Sequence, residues 1–267
     1  MTLVTVRGRK IYSETHGESS GTPLLLVMGM GGSCRGWLPL QVPDFSAVHR
    51  TVIFDHRGVG ESEDPGGAFT TADLADDIVG LLDALEIEQA NVLGIFMGGM
   101  ACQELALRHP ERVNRMILSG TFARIDAKRD LLLQQWCDLA RLEPPAEMLV
   151  RERLIWTLQD ETLEQHDLID AMVAFFSKGG APFTPDLFVR QCDAVRRHDT
   201  ADRLRQIPHP TLILHGRNDG LTPPKLHRFL ADEIPNAHLV SLQYGGHLVM
   251  AESARAFNKA VLDFLAA

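Results

Sequence analysis

Short, continuous apolar runs recur through the first half of the chain, each closed by a turn rich in glycine or polar residues. Residues 23–28, 51–55, 91–95 and 113–119 read in this way. An apolar run of that length fits a strand covered on both faces, as in a parallel sheet. Upstream, 3–6 and 10–15 alternate apolar with polar around Arg7-Gly8-Arg9, which predicts a hairpin. Helical spacing takes over in between. Leu74, Ile78, Leu81, Leu82 and Leu85 predict a helix over 71–85, and another over 97–108 stops before Pro110.

The alternation breaks after Gly120. From 122 to 204 only amphipathic helical stretches are found, at 129–142, 147–158, 163–178 and 185–195, interrupted by Pro144-Pro145 and by the segment 179–185. Strand and helix then resume over 211–215, 223–234, 238–242 and 253–265. Strands alternating with helices predict an α/β fold with a mostly parallel central sheet and helices on both faces. The break divides the chain into a first core part (1–121), a helical cap (122–204) and a second core part (205–267).

The most informative turn is Asn91-Val92-Leu93-Gly94-Ile95-Phe96-Met97-Gly98-Gly99-Met100. An apolar strand runs through a glycine-flanked position into a helix, the outline of the nucleophile elbow G-x-S-x-G. The glycines are expected to let strand and helix backbones approach and to tolerate the strained dihedrals of the turn. The position that should carry the attacking oxygen holds Phe96.

Four further motifs follow in order. Val27-Met28-Gly29-Met30-Gly31 ends a strand, and Asp55-His56-Arg57-Gly58-Val59-Gly60-Glu61-Ser62 forms a turn after the next. His215-Gly216-Arg217-Asn218-Asp219 and Gly245-Gly246-His247 close the late strands. Together with the elbow these resemble the α/β-hydrolase superfamily over nearly the whole chain, with Met28 where that family's oxyanion loop carries histidine. The resemblance implies His247 as base, Asp219 as the acid that orients it, and the backbone N–H groups of Met30 and Met97 as oxyanion donors. Phe96 stands at the nucleophile position.

Plainer roles exist for each. His247 could be a loop histidine, one of 11 in the chain, and Asp219 could cap the following helix. Asp55 is the weaker acid candidate, better read as structural with Arg57. Ser33, Cys34, Ser119 and Cys102 read as structural too, since a hydroxyl needs an adjacent base to react. Trp37, Trp136 and Trp156 are candidates to line a pocket for a small apolar acyl-type ligand.

Phe96 admits three readings: a serine hydrolase of esters or lactones that has lost its nucleophile, a general-base enzyme working through His247 and Asp219, or a binding protein. The cap and carboxyl-terminal third also resemble the aminoacrylate/carbamate hydrolases of the Rut pyrimidine-degradation pathway, which lack the elbow serine. The stretches concerned are 29–33, 196–203 and 244–247. That family carries a small residue where Phe96 stands.

Composition narrows the partners. A formal charge of −9 without a basic stripe argues against nucleic acid. No apolar stretch is long enough to span a bilayer, and the first ten residues lack the apolar core of a signal peptide. Scattered Cys34, Cys102, Cys137 and Cys192 are expected as reduced thiols in a cytoplasm. The histidine and cysteine spacings match no metal motif, and no nucleotide-binding loop is found, so no cofactor is expected. A monomer or homodimer is expected.

Overall fold

The computed structural model describes residues 2–178 and 184–267, which form an eight-stranded sheet. Its strands are β1 (Thr2–Val6), β2 (Arg9–His16), β3 (Leu24–Val27), β4 (Thr51–Phe54), β5 (Ala90–Ile95), β6 (Val113–Ser119), β7 (Thr211–Gly216) and β8 (Ala237–Leu242). They lie in the order β1-β2-β4-β3-β5-β6-β7-β8. The expected hairpin β1–β2 is present and pairs antiparallel onto β4. Every later pairing is parallel.

Alternation along the strands sorts side chains to two faces. Leu25, Val27, Val52 and Val92 join one cluster with α2 (Thr71–Ala84) and α3 (Met97–Arg108), following α1 (Val42–Ser46) in the chain. Leu24, Leu26, Ile53 and Leu93 face the other way, against Phe45 of α1 and residues near the carboxyl terminus. Thr70 caps α2 reciprocally with Asp73, which fixes where that helix begins.

Between β6 and β7 the described residues form the helices α4 (Ala127–Arg141), α5 (Ala146–Thr157), α6 (Asp160–Leu163), α7 (His166–Lys178) and α8 (Pro185–Arg196). Trp136 of α4 and Leu187, Phe188 and Cys192 of α8 pack into the cluster that contains Phe96. Leu154 and Leu158, near the end of α5, meet Val173 of α7 in a smaller cluster. The helix expected over 163–178 forms over 166–178; Leu163 instead ends α6, and Gln165 N–H donates to the Thr162 carbonyl in the turn between the two. The interruption at 179–185 lies outside the described residues as far as 183. After β7 come α9 (Pro224–Glu233), then β8, α10 (Val249–Glu252) and α11 (Ala254–Ala266). Among the described residues no helix is long and apolar enough to cross a membrane.

Candidate active site

The elbow forms where the sequence places it. β5 ends at Ile95, α3 begins at Met97, and Phe96 between them has φ +47° and ψ −113°. The strain sits on Phe96 itself. The glycines solve a different problem, that of close approach. A Cβ on Gly98 would stand 2.3 Å from the Val27 carbonyl oxygen, and one on Gly94 would stand 2.5 Å from the Gly98 carbonyl oxygen. Phe96 is held by its own backbone: its N–H donates to the Ser119 carbonyl at 3.0 Å, and its carbonyl accepts from Thr121 Oγ1 at 2.8 Å.

Asp219 follows β7 and His247 follows β8, so parallel pairing of these strands brings their carboxyl ends together. His247 Nδ1 lies 3.1 Å from Asp219 Oδ2. Thr222, which the sequence reading missed, joins them. Its N–H and hydroxyl each donate to Asp219 at 2.6 Å, and its Oγ1 is 3.1 Å from His247 Nδ1. Asp219 therefore organises a turn rather than capping α9, which starts at Pro224. Burial works against its charge, but the adjacent imidazole and the Thr222 hydroxyl hold the carboxyl below its ordinary value. A carboxylate at Nδ1 favours the tautomer protonated there, which leaves Nε2 as the basic nitrogen. Gly120, with φ +54°, clears room for the imidazole: a Cβ there would lie 2.9 Å from His247 Cε1.

The His247 and Phe96 rings meet edge to face, 5.2 Å between centroids at 86°. Phe122 also meets the Phe96 ring edge to face, with 6.0 Å between centroids. Phe96 is 4% exposed and His247 is half-buried. The benzyl group thus occupies the space beside the imidazole.

The loop after β3 runs along the same edge. A Cβ on Gly29 would come within 3.4 Å of Phe96 Cβ, so this loop packs against the elbow at Gly29, one residue before Met30. Met97 is the first residue of α3, where a backbone N–H has no acceptor within the helix. Gly31 N–H is taken by Gln191 Oε1 of α8 at 2.9 Å.

The helices between β6 and β7 reach this edge through Gln159. Its Oε1 accepts from Gly245 N–H at 2.7 Å and from Asn218 Nδ2 at 3.2 Å, bridging the loops that carry His247 and Asp219. Leu248 N–H donates to the Thr157 carbonyl. No spacing in the sequence signals Gln159, which sits far from both loops along the chain.

The three tryptophans divide. Trp136 belongs to the cluster around Phe96, and its Nε1 donates to Glu152 at 3.4 Å. Trp156 packs at the margin of that cluster under Lys128. Trp37 does not reach the site. It is fully buried on the opposite face of the sheet with Leu24, Met28 and Phe45, because the loop after β3 turns back across that face. Asp55 is structural, but its partner is the Cys34 N–H at 2.7 Å; Arg57 pairs with Asp77 instead. Ser33 caps a short turn, and Cys34, Cys102, Cys137 and Cys192 are free and buried.

A mostly parallel sheet, a strained strand-to-helix elbow and a carboxylate–imidazole pair at the carboxyl ends of later strands define an α/β-hydrolase, and the chain belongs to that fold family: its model matches residues 22–254. Among its relatives is BpoC of Mycobacterium tuberculosis, named for non-heme bromoperoxidase activity, 33% identical over 93% of this chain and 95% of BpoC. RutD of Azorhizobium caulinodans, named for carbamate hydrolysis, is 32% identical over 95% of this chain and 94% of RutD. The solved enol-lactonase of Burkholderia xenovorans superposes over the full length of both chains with a TM-score of 0.89 at 30% identity. The chain is thus similar to hydrolases of the esterase, lactonase and carbamate-hydrolase type.

Proposed function

We propose that this chain is a hydrolase scaffold for small carboxylic esters, lactones or similar acyl compounds in which the covalent serine route is closed by Phe96. The observation that supports this is the edge-to-face contact of Phe96 with His247, while His247 keeps its hydrogen bond to Asp219. His247 is the base, Asp219 holds its tautomer, and the Met30 and Met97 amides are the oxyanion donors. Helices α4 to α8 act as the cap over the pocket, with Trp136 and Trp156 in its wall. Loss of a triad serine costs on the order of 10⁶ in rate. A phenyl ring cannot attack a carbonyl carbon, so the chain as it stands binds acyl compounds without forming an acyl-enzyme.

The intact Asp219–Thr222–His247 cluster favours a second reading, in which His247 activates water directly. One panel of nitrophenyl esters separates the two, using the chain as it is and Phe96→Ser, each with and without His247→Ala. The first reading expects turnover only in the serine form, abolished by His247→Ala. Turnover in the phenylalanine form that depends on His247 establishes the second. Absence of turnover in every form refutes both.

A further inference from the structure

Gln159 stands one residue before α6, yet its side chain caps no helix. It turns instead to the two loops that carry the carboxylate and the imidazole. Its Oε1 accepts from Gly245 N–H at 2.7 Å and from Asn218 Nδ2 at 3.2 Å. Gly245 lies two residues before His247, and Asn218 adjoins Asp219. A backbone N–H can only donate, so the carboxamide oxygen must face Gly245. Nε2 has no hydrogen-bond partner among the described residues, which leaves Oε1 as the bonding atom of this side chain. Gln159 is buried, so water cannot readily replace the oxygen if it is removed.

Glu252 of α10 holds the next residue of the same turn. Its Oε2 accepts from Gly246 N–H at 2.6 Å, and its Oε1 accepts from Gln159 N–H at 3.1 Å. Leu248 N–H donates to the Thr157 carbonyl at 2.9 Å. The residues on both sides of His247 are thus tied to 157–159, directly or through Glu252. Packing is as close as the bonding: a Cβ on Gly246 would lie 2.9 Å from both Gln159 N and the Thr157 carbonyl oxygen. The pairing of β7 with β8 ends at Gly216 and Leu242, short of Asp219 and His247. The 3.1 Å contact between these two therefore depends on how the loops beyond the sheet are held.

We propose that Gln159 and Glu252 are positioning residues for His247. Seating of the α5–α6 junction on the Gly245-Gly246 turn sets the imidazole against Asp219, so the helical segment between β6 and β7 governs whether the base is assembled. This rests on the reading of His247 as the base. Neither residue touches the reacting atoms, and both act through the backbone that carries the imidazole.

Proton NMR of the full chain tests this through the Nδ1–H shared by His247 and Asp219, a downfield signal identified by its loss in His247→Ala. Gln159→Met keeps the bulk of the side chain but offers no oxygen. There the proton is expected to exchange with water at least about tenfold faster, broadening or removing the signal. Glu252→Gln keeps one accepting oxygen of two and should act in the same direction, and it carries the test if Gln159→Met does not fold. An equally sharp signal in these variants, or no such signal in the unaltered chain, overturns the proposal. In the Phe96→Ser form, Gln159→Met should lower kcat on a nitrophenyl ester by about tenfold and change KM by less than about threefold. A raised KM at unchanged kcat would also overturn it. The NMR readout needs no turnover, so an inactive Phe96→Ser form refutes the hydrolase reading and leaves the positioning result standing. An unchanged signal does the reverse.

Discussion

A φ of +47° on an aromatic residue is expensive, about 1–3 kcal/mol for a backbone held in a sparsely populated region. Phe96 keeps it because both of its backbone groups are committed, the N–H to Ser119 and the carbonyl to Thr121 and to Met100 N–H. The elbow was legible in the sequence as a motif, but the division of labour within it was not. The glycines were expected both to let the backbones approach and to take the strained dihedrals; Gly94 and Gly98 do the first, and Phe96, the residue without that freedom, takes the strain. A glycine motif states that a side chain is excluded without stating whether sterics or dihedrals exclude it. Gly98→Ala tests the steric account. With its Cβ 2.3 Å from the Val27 oxygen and 2.5 Å from that of Met28, it should lose at least about 1–3 kcal/mol of stability in urea denaturation. Gly21→Ala, whose nearest contact would be Ser19 Oγ at 3.6 Å, should change stability by less than about 0.5 kcal/mol. Equal effects at the two positions would refute the close-approach explanation.

The strands and helices follow from apolar periodicity, because each buries a face whose spacing the sequence displays. How α4 to α8 dock does not, because the docking contacts join residues far apart in the chain. Gln159 bridging the loops of Asp219 and His247 is one case, and Trp37 is the converse. A tryptophan a few residues past the glycine loop after β3 looks like a pocket residue, but that loop carries it across the sheet. The attachment of α8 shows the same dependence on distant partners. Arg190 donates from Nη1 to Asp64 at 3.0 Å and to the Gly67 carbonyl at 3.2 Å, and from Nε to Asp186 at 2.8 Å. Its side chain is 12% exposed, so these bonds are partly shielded from solvent. Removing them with Arg190→Ala should lower the local opening energy of α8 by about 1 kcal/mol, roughly fivefold faster amide exchange over 185–196. Exchange in β5, to which Arg190 makes no hydrogen bond, should not change. Faster exchange in both elements would mean that the substitution destabilises the fold as a whole and that Arg190 is not a local tether.

Stability of the whole molecule below neutral pH is governed by histidines that folding strips of water. Burial pushes His198, between Thr71 and Thr200, and His227, stacked on His215 at 4.6 Å, each down to about 3. In the unfolded chain the same imidazoles titrate near about 6.5. Below that value the unfolded state binds protons that the folded state refuses, so stability is full above about 6.5 and falls as the pH is lowered toward about 3. Each of the two should cost on the order of 2 kcal/mol between pH 6.5 and 5. His56 and His215, also pushed down by burial, act in the same direction. Carboxylates cannot produce this slope. Asp219, held below its ordinary value, contributes stability that is lost only at pH values lower still. Urea denaturation at pH 7, 6 and 5 should therefore show a steep loss, and His227→Phe, which keeps a flat ring beside His215, should flatten it by about one proton's worth. A slope unchanged in that variant would show that His227 is already protonated in the folded chain. The ionised Asp219 nearby would then be its partner.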